Sequence, residues 1–108
     1  MSEEQREIEV FEARRFTKAL SKLPTKQLSA VEDEIEKIIA NPEIGQQKKG
    51  DLSHLRVHKF KVNQQELLLG YSWVDNELRL YLLSLGSHEN FYCDLKKQRN
   101  NDLKLING

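Results

Sequence analysis

The residues best placed for chemistry lie where a long apolar stretch ends, at Gly86-Ser87-His88. The nine residues 77–85, ELRLYLLSL, carry apolar side chains on both alternating parities, which predicts a strand buried on both faces. Gly86 can adopt positive φ, and Ser87 can cap a helix that starts at His88 or Glu89. A histidine at such a corner is aimed by a rigid element and left accessible, so His88 is a candidate for acid–base chemistry. A histidine that only packs at the corner is the alternative.

Positive charge is concentrated in residues 48–61, which contain a single acid, Asp51. The bases of this segment are Lys48, Lys49, Arg56, Lys59 and Lys61. Arg56 and His58 have the same parity and share one face of a predicted strand. Two histidines among cations suit cleavage of a phosphodiester in RNA, which needs a base, an acid and positive charge beside the phosphorane. A solvated basic loop is the alternative.

Length and composition restrict the class of protein. The chain has 108 residues, of which 38% are hydrophobic and 31% charged, and its formal net charge is zero. These values predict a single domain over residues 1–108, with residues 1–6 frayed and residues 99–108 forming a tail. We find no apolar run of about 18 residues and no signal sequence, so we expect a cytoplasmic protein without a membrane span. The single cysteine, Cys93, and the histidine spacing predict neither a disulfide nor a metal or other cofactor.

The first half of the chain predicts a short strand followed by two helices. Ile8, Val10 and Phe11 indicate the strand, and a helical period then begins at Ala13 and ends at Pro24. A second helix, with Thr25 as its N-cap, runs to Asn41-Pro42, since the residue before proline is driven out of the helical region. Together these two helices form a helical hairpin with one apolar stripe on each helix.

The second half predicts a three-strand meander and a terminal helix. Residues 43–53 have no periodicity and indicate a loop. In the first strand the apolar parity changes from Leu55 and Val57 to Phe60 and Val62, which predicts a bulge or bend near Lys59. A turn follows at 63–65, and Asp75-Asn76 predicts a two-residue hairpin turn. The last helix should run from about His88 to Gln98. We therefore predict an α+β fold: a small antiparallel sheet, comprising the N-terminal strand and the meander, with the hairpin covering one face and leaving the other partly open.

This order of elements and several local strings resemble the RelE/ParE superfamily of bacterial toxins, over about Phe11 to Lys97. The strings are IIANPEIGQQKKGDL, LLLGYSWVDNELRLYLLSLGSHENFY and the Gly86-Ser87-His88 corner followed by Phe91 and Tyr92. The corner is most similar to the YafQ branch of the family. The resemblance implies a type II toxin, an mRNA interferase that cuts mRNA on the ribosome and forms a hetero-oligomer with a cognate antitoxin.

The resemblance also implies roles for single residues. His88 matches the catalytic histidine of the family, and Tyr92 falls near an aromatic residue that holds or polarises the substrate. Arg56 and His58 match basic or histidine positions on the first meander strand. Glu66 lies near an acidic position and would act with a histidine, unless it is only an exposed strand-end carboxylate. These comparisons and the basic segment give the predicted site: catalytic His88, His58, Tyr92 and Glu66, with Lys49, Arg56, Lys59, Lys61 and Arg79 binding the substrate.

Two departures from the family pattern leave other functions open. The chain is neutral where these toxins are basic, and Ser84 stands where the family has a strand arginine. Lys59, Lys61 or Arg79 would have to replace that cation. The alternatives are a ParE-like inhibitor that binds DNA gyrase without catalysis, and an inactive remnant that still binds its antitoxin.

Overall fold

The computed structural model describes residues 7–107 and has an α+β architecture, as predicted. The frayed segment predicted for residues 1–6 lies outside the described residues. The strands are β1 (Glu9–Glu12), β2 (Gln46–Gln47), β3 (Arg56–Val62), β4 (Gln65–Val74) and β5 (Arg79–Gly86). The helices are α1 (Arg14–Ser21), α2 (Thr25–Ala40), α3 (His88–Lys97) and α4 (Arg99–Asn107). None of the helices between residues 7 and 107 is long and apolar enough to cross a membrane.

The five strands form one sheet in the order β1-β5-β4-β3-β2. β1 is parallel to β5, and the other neighbouring pairs are antiparallel. β5 therefore lies between β1 and β4, and residues Leu80 to Ser84 are all buried. The two-parity apolar pattern of this strand correctly predicted its central position, because a strand covered on both faces needs apolar residues at successive positions.

Helices pack on both faces of the sheet. The face covered by α1 and α2, here called the hairpin face, buries Phe16 and Ile38 of the hairpin against Leu69, Tyr71 and Leu82 of the sheet. The opposite face, here called the α3 face, buries Phe91 and Leu95 of α3 against the sheet. Its other buried members are Leu52, Leu55, Val57, Leu68, Tyr81 and Leu83. The face that was predicted to be partly open is the α3 face. It is uncovered only over the ends of β3 and β4 near the Asn63 turn, where Lys59, Lys61 and Glu66 are exposed.

The bulge predicted near Lys59 was wrong, because β3 pairs with β4 without interruption from Arg56↔Tyr71 to Val62↔Gln65. Leu55 and Val57 are buried on the α3 face, whereas Phe60 and Val62 pack on the hairpin face. The apolar residues switch from one face of β3 to the other because α3 covers the first half of the strand on one face and the hairpin covers the second half on the other. The irregular position is in β5 instead, where Gly70 pairs with Ser84 and Tyr71 with Leu82, leaving Leu83 as the extra residue.

Three further boundaries differ from the predictions. The β4–β5 connection is a 3₁₀ turn at Asp75–Glu77 followed by Leu78 at φ 53°, and not a two-residue turn. The left-handed residue reverses the chain after the extra helical turn, so β5 begins at Arg79. Thr25 is the first helical residue of α2, with Pro24 at the N-cap. The tail predicted for residues 99–108 contains α4, whose Ile106 packs against the buried cluster of the α3 face.

Two polar contacts fasten the helices to the sheet and to each other. On the hairpin face, His58 of β3 lies 2.7 Å from the Glu34 carboxylate of α2, and Lys37 donates to the same carboxylate at 3.0 Å. Arg15 of α1 makes two hydrogen bonds, of 2.9 and 2.8 Å, to Asp102 of α4, which is only 2% exposed. Burial alone would raise the pKa of Glu34, but the hydrogen bonds from His58 and Lys37 outweigh it and hold this pKa below its ordinary value of 4.5.

We expect Glu34→Gln to lower the free energy of unfolding by about 1 kcal/mol at neutral pH, because His58 and Lys37 lose their charged acceptor. A carboxyl whose pKa is lower in the folded state stabilises the fold above its unfolded pKa and loses that effect as pH falls through the folded value. The difference between the two proteins should therefore be full above about pH 4.5 and shrink below it. Urea unfolding at a series of pH values measures this difference.

The exposed Glu36, two residues further along α2, offers a matched control. We expect Glu36→Gln to change the free energy of unfolding by less than about 0.5 kcal/mol at any pH. Equal stability of Glu34→Gln and the unsubstituted protein at neutral pH would show that the Glu34–His58 contact contributes nothing.

Candidate functional site

The corner between β5 and α3 places His88 at the surface. β5 ends at Gly86, Ser87 occupies the N-cap position, and His88 is the exposed first residue of α3. Two features expected of this corner are not realised: Gly86 is not among the positive-φ residues, and the Ser87 side chain makes no capping hydrogen bond. The corner is held instead by the packing of Phe91, one turn into α3.

Phe91 fixes α3 because it meets a glycine in β4. A Cβ built on Gly70 would lie 3.0 Å from Cζ of the Phe91 ring, closer than side chains normally approach. A glycine inside a strand often marks a point of close approach, and here the approaching group is this ring. With Phe91 only 3% exposed against the sheet, the first turn of α3 has a defined orientation.

Three side chains meet on the exposed side of that turn, and we call them the corner cluster: His88, Tyr92 and Lys48. The rings of His88 and Tyr92 lie edge to face with centroids 5.8 Å apart, as expected for residues four apart on a helix. Phe91 meets Tyr92 edge to face as well, at 5.2 Å. Lys48 Nζ lies 5.1 Å from the centroid of the Tyr92 ring, within the range of a cation–π interaction.

The loop before β2 positions Lys48. The Tyr71 hydroxyl donates to the Pro42 carbonyl at 2.7 Å and accepts from the Gly45 amide at 2.9 Å. Arg56 Nη1 donates to the Gly45 carbonyl at 2.8 Å, and burial raises the pKa of the Tyr71 phenol, which keeps it neutral. The Lys48 amide then donates to the Leu55 carbonyl at 2.9 Å, which extends the pairing of β2 with β3. Because these contacts are at least partly buried or involve the backbone, they fix the backbone position from which the Lys48 side chain extends.

Three more of the predicted site residues share the α3 face with this cluster. Lys59 pairs with Leu68, and Leu68 pairs with Gly86, so Lys59 lies two strands, or about 10 Å, from the corner. Lys61 and Glu66 are directly opposite each other on β3 and β4, and both are exposed. The register therefore brings Lys59, Lys61 and Glu66 to the open part of the face that carries His88.

The structure does not bring the remaining predicted residues to the corner. His58 and Arg56 lie on the hairpin face, where they contact Glu34 and the carbonyls of Glu43 and Gly45. Arg79 is at the opposite end of β5, about 23 Å away along the strand, and forms ion pairs of 3.4 Å with Glu9 and Glu77. The Arg79 pKa is raised, by a hydrogen bond with Tyr81 first and then by Glu77. Lys49 is exposed next to Lys48, at the start of a 3₁₀ turn.

Sequence reasoning missed Lys48 as a site residue, although it lies in the basic segment that the sequence marked. Lys48 and Lys49 are indistinguishable by composition, and the contact of Lys48 Nζ with the Tyr92 ring is what distinguishes Lys48 in the structure. Ser84, where a cation was expected, is buried on the α3 face and pairs with Gly70. A cavity of about 220 Å³ beside Ser84 is partly walled by Glu89 and Asp94.

The corner cluster combines a group for proton transfer with a cation and an aromatic ring. An imidazole can serve as either an acid or a base. The free N–H groups of the first turn of α3 and the ammonium of Lys48 both favour an anion beside His88. Among residues 7–107, no group of three or more His, Cys, Asp or Glu side chains could hold a metal ion. This arrangement suits acid–base chemistry on a phosphate ester.

The fold is similar to that of known toxins. A chain of the intact E. coli RelBE toxin–antitoxin complex matches with a TM-score of 0.63 and 18% identity, covering 77% of this chain and 99% of the other. The RelBE2 toxin–antitoxin complex from Mycobacterium tuberculosis matches with a TM-score of 0.65 and 18% identity, covering 75% and 98%. The isolated E. coli RelE toxin matches with a TM-score of 0.61, 18% identity and coverage of 85% and 98%. At 18% identity, these matches show a shared fold and nothing further.

The family follows from the sequence itself. No protein with a curated description matches the chain. A family model does match it, over residues 10–96, and that model describes the ParE-like toxin of type II bacterial toxin–antitoxin systems. Because the match spans most of the chain and the fold is that of RelE toxins, the RelE/ParE resemblance is confirmed: the chain is a toxin of a type II toxin–antitoxin system and belongs to the ParE-like toxin family.

Proposed function

We propose that this toxin is an endoribonuclease that cleaves mRNA, and that the corner cluster is its active site. The observation that supports this most directly is the Lys48–Tyr92–His88 arrangement at the N-terminus of α3. It places one proton-transfer group and a cation on either side of an aromatic ring, and RNA cleavage needs proton transfer and positive charge beside the phosphate. The resemblance of the Gly86-Ser87-His88 corner to the mRNA interferase branch supports mRNA on the ribosome as the substrate.

In the proposed reaction, the scissile phosphate binds between Lys48 and the first amides of α3. The 2′-oxygen attacks the adjacent phosphorus as its proton passes to a base, for which Glu66 is the carboxylate on the same face. The bond from phosphorus to the 5′-oxygen breaks, and His88 delivers a proton to that leaving oxygen. The products are a 2′,3′-cyclic phosphate and a free 5′-hydroxyl. Tyr92 orients His88 through their edge-to-face contact, and Lys59 and Lys61 hold the neighbouring backbone.

This assignment gives His58 a structural role, since its ring is bonded to Glu34 on the hairpin face. It also gives the missing strand arginine a substitute. Lys48 supplies positive charge from the end of β2, on the same face as the buried Ser84. Electrostatic stabilisation of this kind commonly lowers the barrier to phosphate and acyl transfer more than any other single effect, so the reaction should depend strongly on Lys48.

We expect His88→Ala to slow RNA cleavage at least about 100-fold, because it removes the proton donor of the leaving group. Primer extension on mRNA from cells that express the toxin, together with growth, measures the effect. His58→Gln is the matched control: it should keep cleavage per folded molecule while lowering the melting temperature. Full toxicity of His88→Ala would refute the assignment, as would loss of cleavage in a folded His58→Gln protein alone.

We expect Lys48→Met, which keeps the length and apolar stem of the side chain, to lower kcat/KM about tenfold or more. Lys48→Arg should retain most of the activity, because it keeps both the charge and the contact with the Tyr92 ring. The neighbouring Lys49→Met serves as control and should change kcat/KM by less than about twofold. If Lys48→Met cleaves as well as Lys49→Met does, the cation comes from elsewhere.

The second candidate function is inhibition of DNA gyrase by binding. The match to the ParE-like family model favours it, since it names the other branch of the superfamily. A supercoiling assay with purified gyrase and a titration of the toxin separates the two functions. Inhibition that persists in His88→Ala, with uncut mRNA in the same cells, would favour gyrase over RNA.

We also propose that the chain binds a cognate antitoxin, forming a hetero-oligomer. The E. coli and M. tuberculosis chains that share its fold are found in toxin–antitoxin complexes. The apolar positions of α4 offer one contact surface, since Leu105 is 40% exposed although Ile106 packs inward. Co-expression with the antitoxin and size-exclusion chromatography detects the complex, and His88→Ala should still form it.

A further inference from the structure

A second concentration of positive charge lies far from the corner cluster in sequence. Residues 13–31 contain five bases and not one of the chain's 17 acids. The bases are Arg14, Arg15, Lys18, Lys22 and Lys26. All except Arg15 are exposed. The acids of α2 begin directly after this run, at Glu32, so positive charge covers α1 and ends within α2.

The cations of α1 are ordered along one side of the helix. Arg14, Lys18 and Lys22 are four residues apart, which puts them on one face with a rise of about 6 Å between neighbours. Within residues 7–107 none of these three takes part in an ion pair with a described partner. We call these three residues the α1 stripe. An evenly spaced row of cations can follow a sugar–phosphate backbone, which carries one charge per nucleotide.

Arg15 points away from the α1 stripe and creates a groove beside it. Its two hydrogen bonds to Asp102 fasten α4 against the start of α1. Between the two helices lies a groove of about 400 Å³ lined by Arg14 and Lys18 on one side and by Gln98 and Asn101 on the other. Glu12 and Asp102 also line it, but Asp102 is neutralised by Arg15 and Glu12 accepts a hydrogen bond from Thr17. Cations thus face amide donors across the groove.

We propose that the α1 stripe and this groove bind the backbone of an RNA strand, as a contact surface separate from the corner cluster. The inference takes RNA as the partner from the proposed function. α3 links the two surfaces, since His88 begins this helix and Gln98 directly follows it, about 15 Å away along the axis. An RNA held at the groove therefore reaches the corner within a few nucleotides, and the neighbouring acids of α2 exclude the backbone from the rest of the hairpin.

The test compares the salt dependence of RNA binding in matched variants. The probe is a fluorescein-labelled 20-nucleotide single-stranded RNA, bound to the His88→Ala protein so that it stays uncut. For a single strand, log K decreases as log salt concentration rises, and the slope becomes shallower by about 0.7 for each phosphate that the protein no longer neutralises. Adding Arg14→Gln, Lys18→Gln and Lys22→Gln together should therefore reduce the slope by about 2. The affinity at low salt should fall about tenfold or more.

The control variant removes two exposed lysines that do not line the groove, Lys26→Gln and Lys104→Gln, and should leave the slope nearly unchanged. In the protein with His88 intact, primer extension on mRNA from expressing cells records which variants still cleave RNA. Melting temperatures confirm that each variant is folded. An unchanged slope in the triple variant overturns the proposal.

Two other outcomes are equally decisive. If the triple variant loses affinity for polyglutamate but not for RNA, the surface serves an acidic protein segment and the proposal is wrong. If no RNA is cleaved by any variant but the slope still falls, the α1 stripe binds RNA and only the nuclease assignment fails. The two proposals can therefore fail independently.

Discussion

The contact between Phe91 and Gly70 determines where the corner cluster lies. The ring of α3 reaches the backbone of β4 only because residue 70 has no side chain, and this contact holds the first turn of α3 on the sheet. His88 begins that turn and is exposed, and Tyr92 follows one turn later and is half-buried. A larger residue at position 70 would displace the ring and with it the corner cluster.

A similar arrangement fixes the loop that carries Lys48. Gly45 accommodates the Tyr71 phenol, since a Cβ there would lie 2.8 Å from its oxygen, and Arg56 secures the same loop from β3. Arg56 thus acts on the α3 face indirectly, although its own side chain lies on the other side of the sheet. Two glycines therefore bring together a helix and a loop that lie 40 residues apart in sequence, and the resulting pair, Tyr92 and Lys48, forms the centre of the candidate site.

Zero net charge conceals a strong separation of charge. Bases dominate α1 and the open part of the α3 face, whereas acids dominate the outer side of α2. The attraction of a polyanion depends on such local potential and not on the net charge, because exposed charges more than about 8 Å apart are largely screened at physiological salt. A neutral toxin can therefore present two cationic surfaces. The Arg15–Asp102 pair, of which only Asp102 is buried, holds α4 beside α1.

Local patterns in the sequence determined the α+β class, the two-helix hairpin, the central strand and the exposed histidine at its end. These features depend on short-range periodicity and turn chemistry, which adjacent residues specify. Tertiary structure alone decided which residues meet. It assigned His58 to a contact with Glu34 and chose Lys48 over Lys49 as the partner of Tyr92. It also formed α4 from residues expected to be a tail. Which residues meet depends on the pairing register of the strands and on which helix covers each half of a strand. Residues distant in sequence determine the register and the helix packing, so short-range patterns cannot predict them.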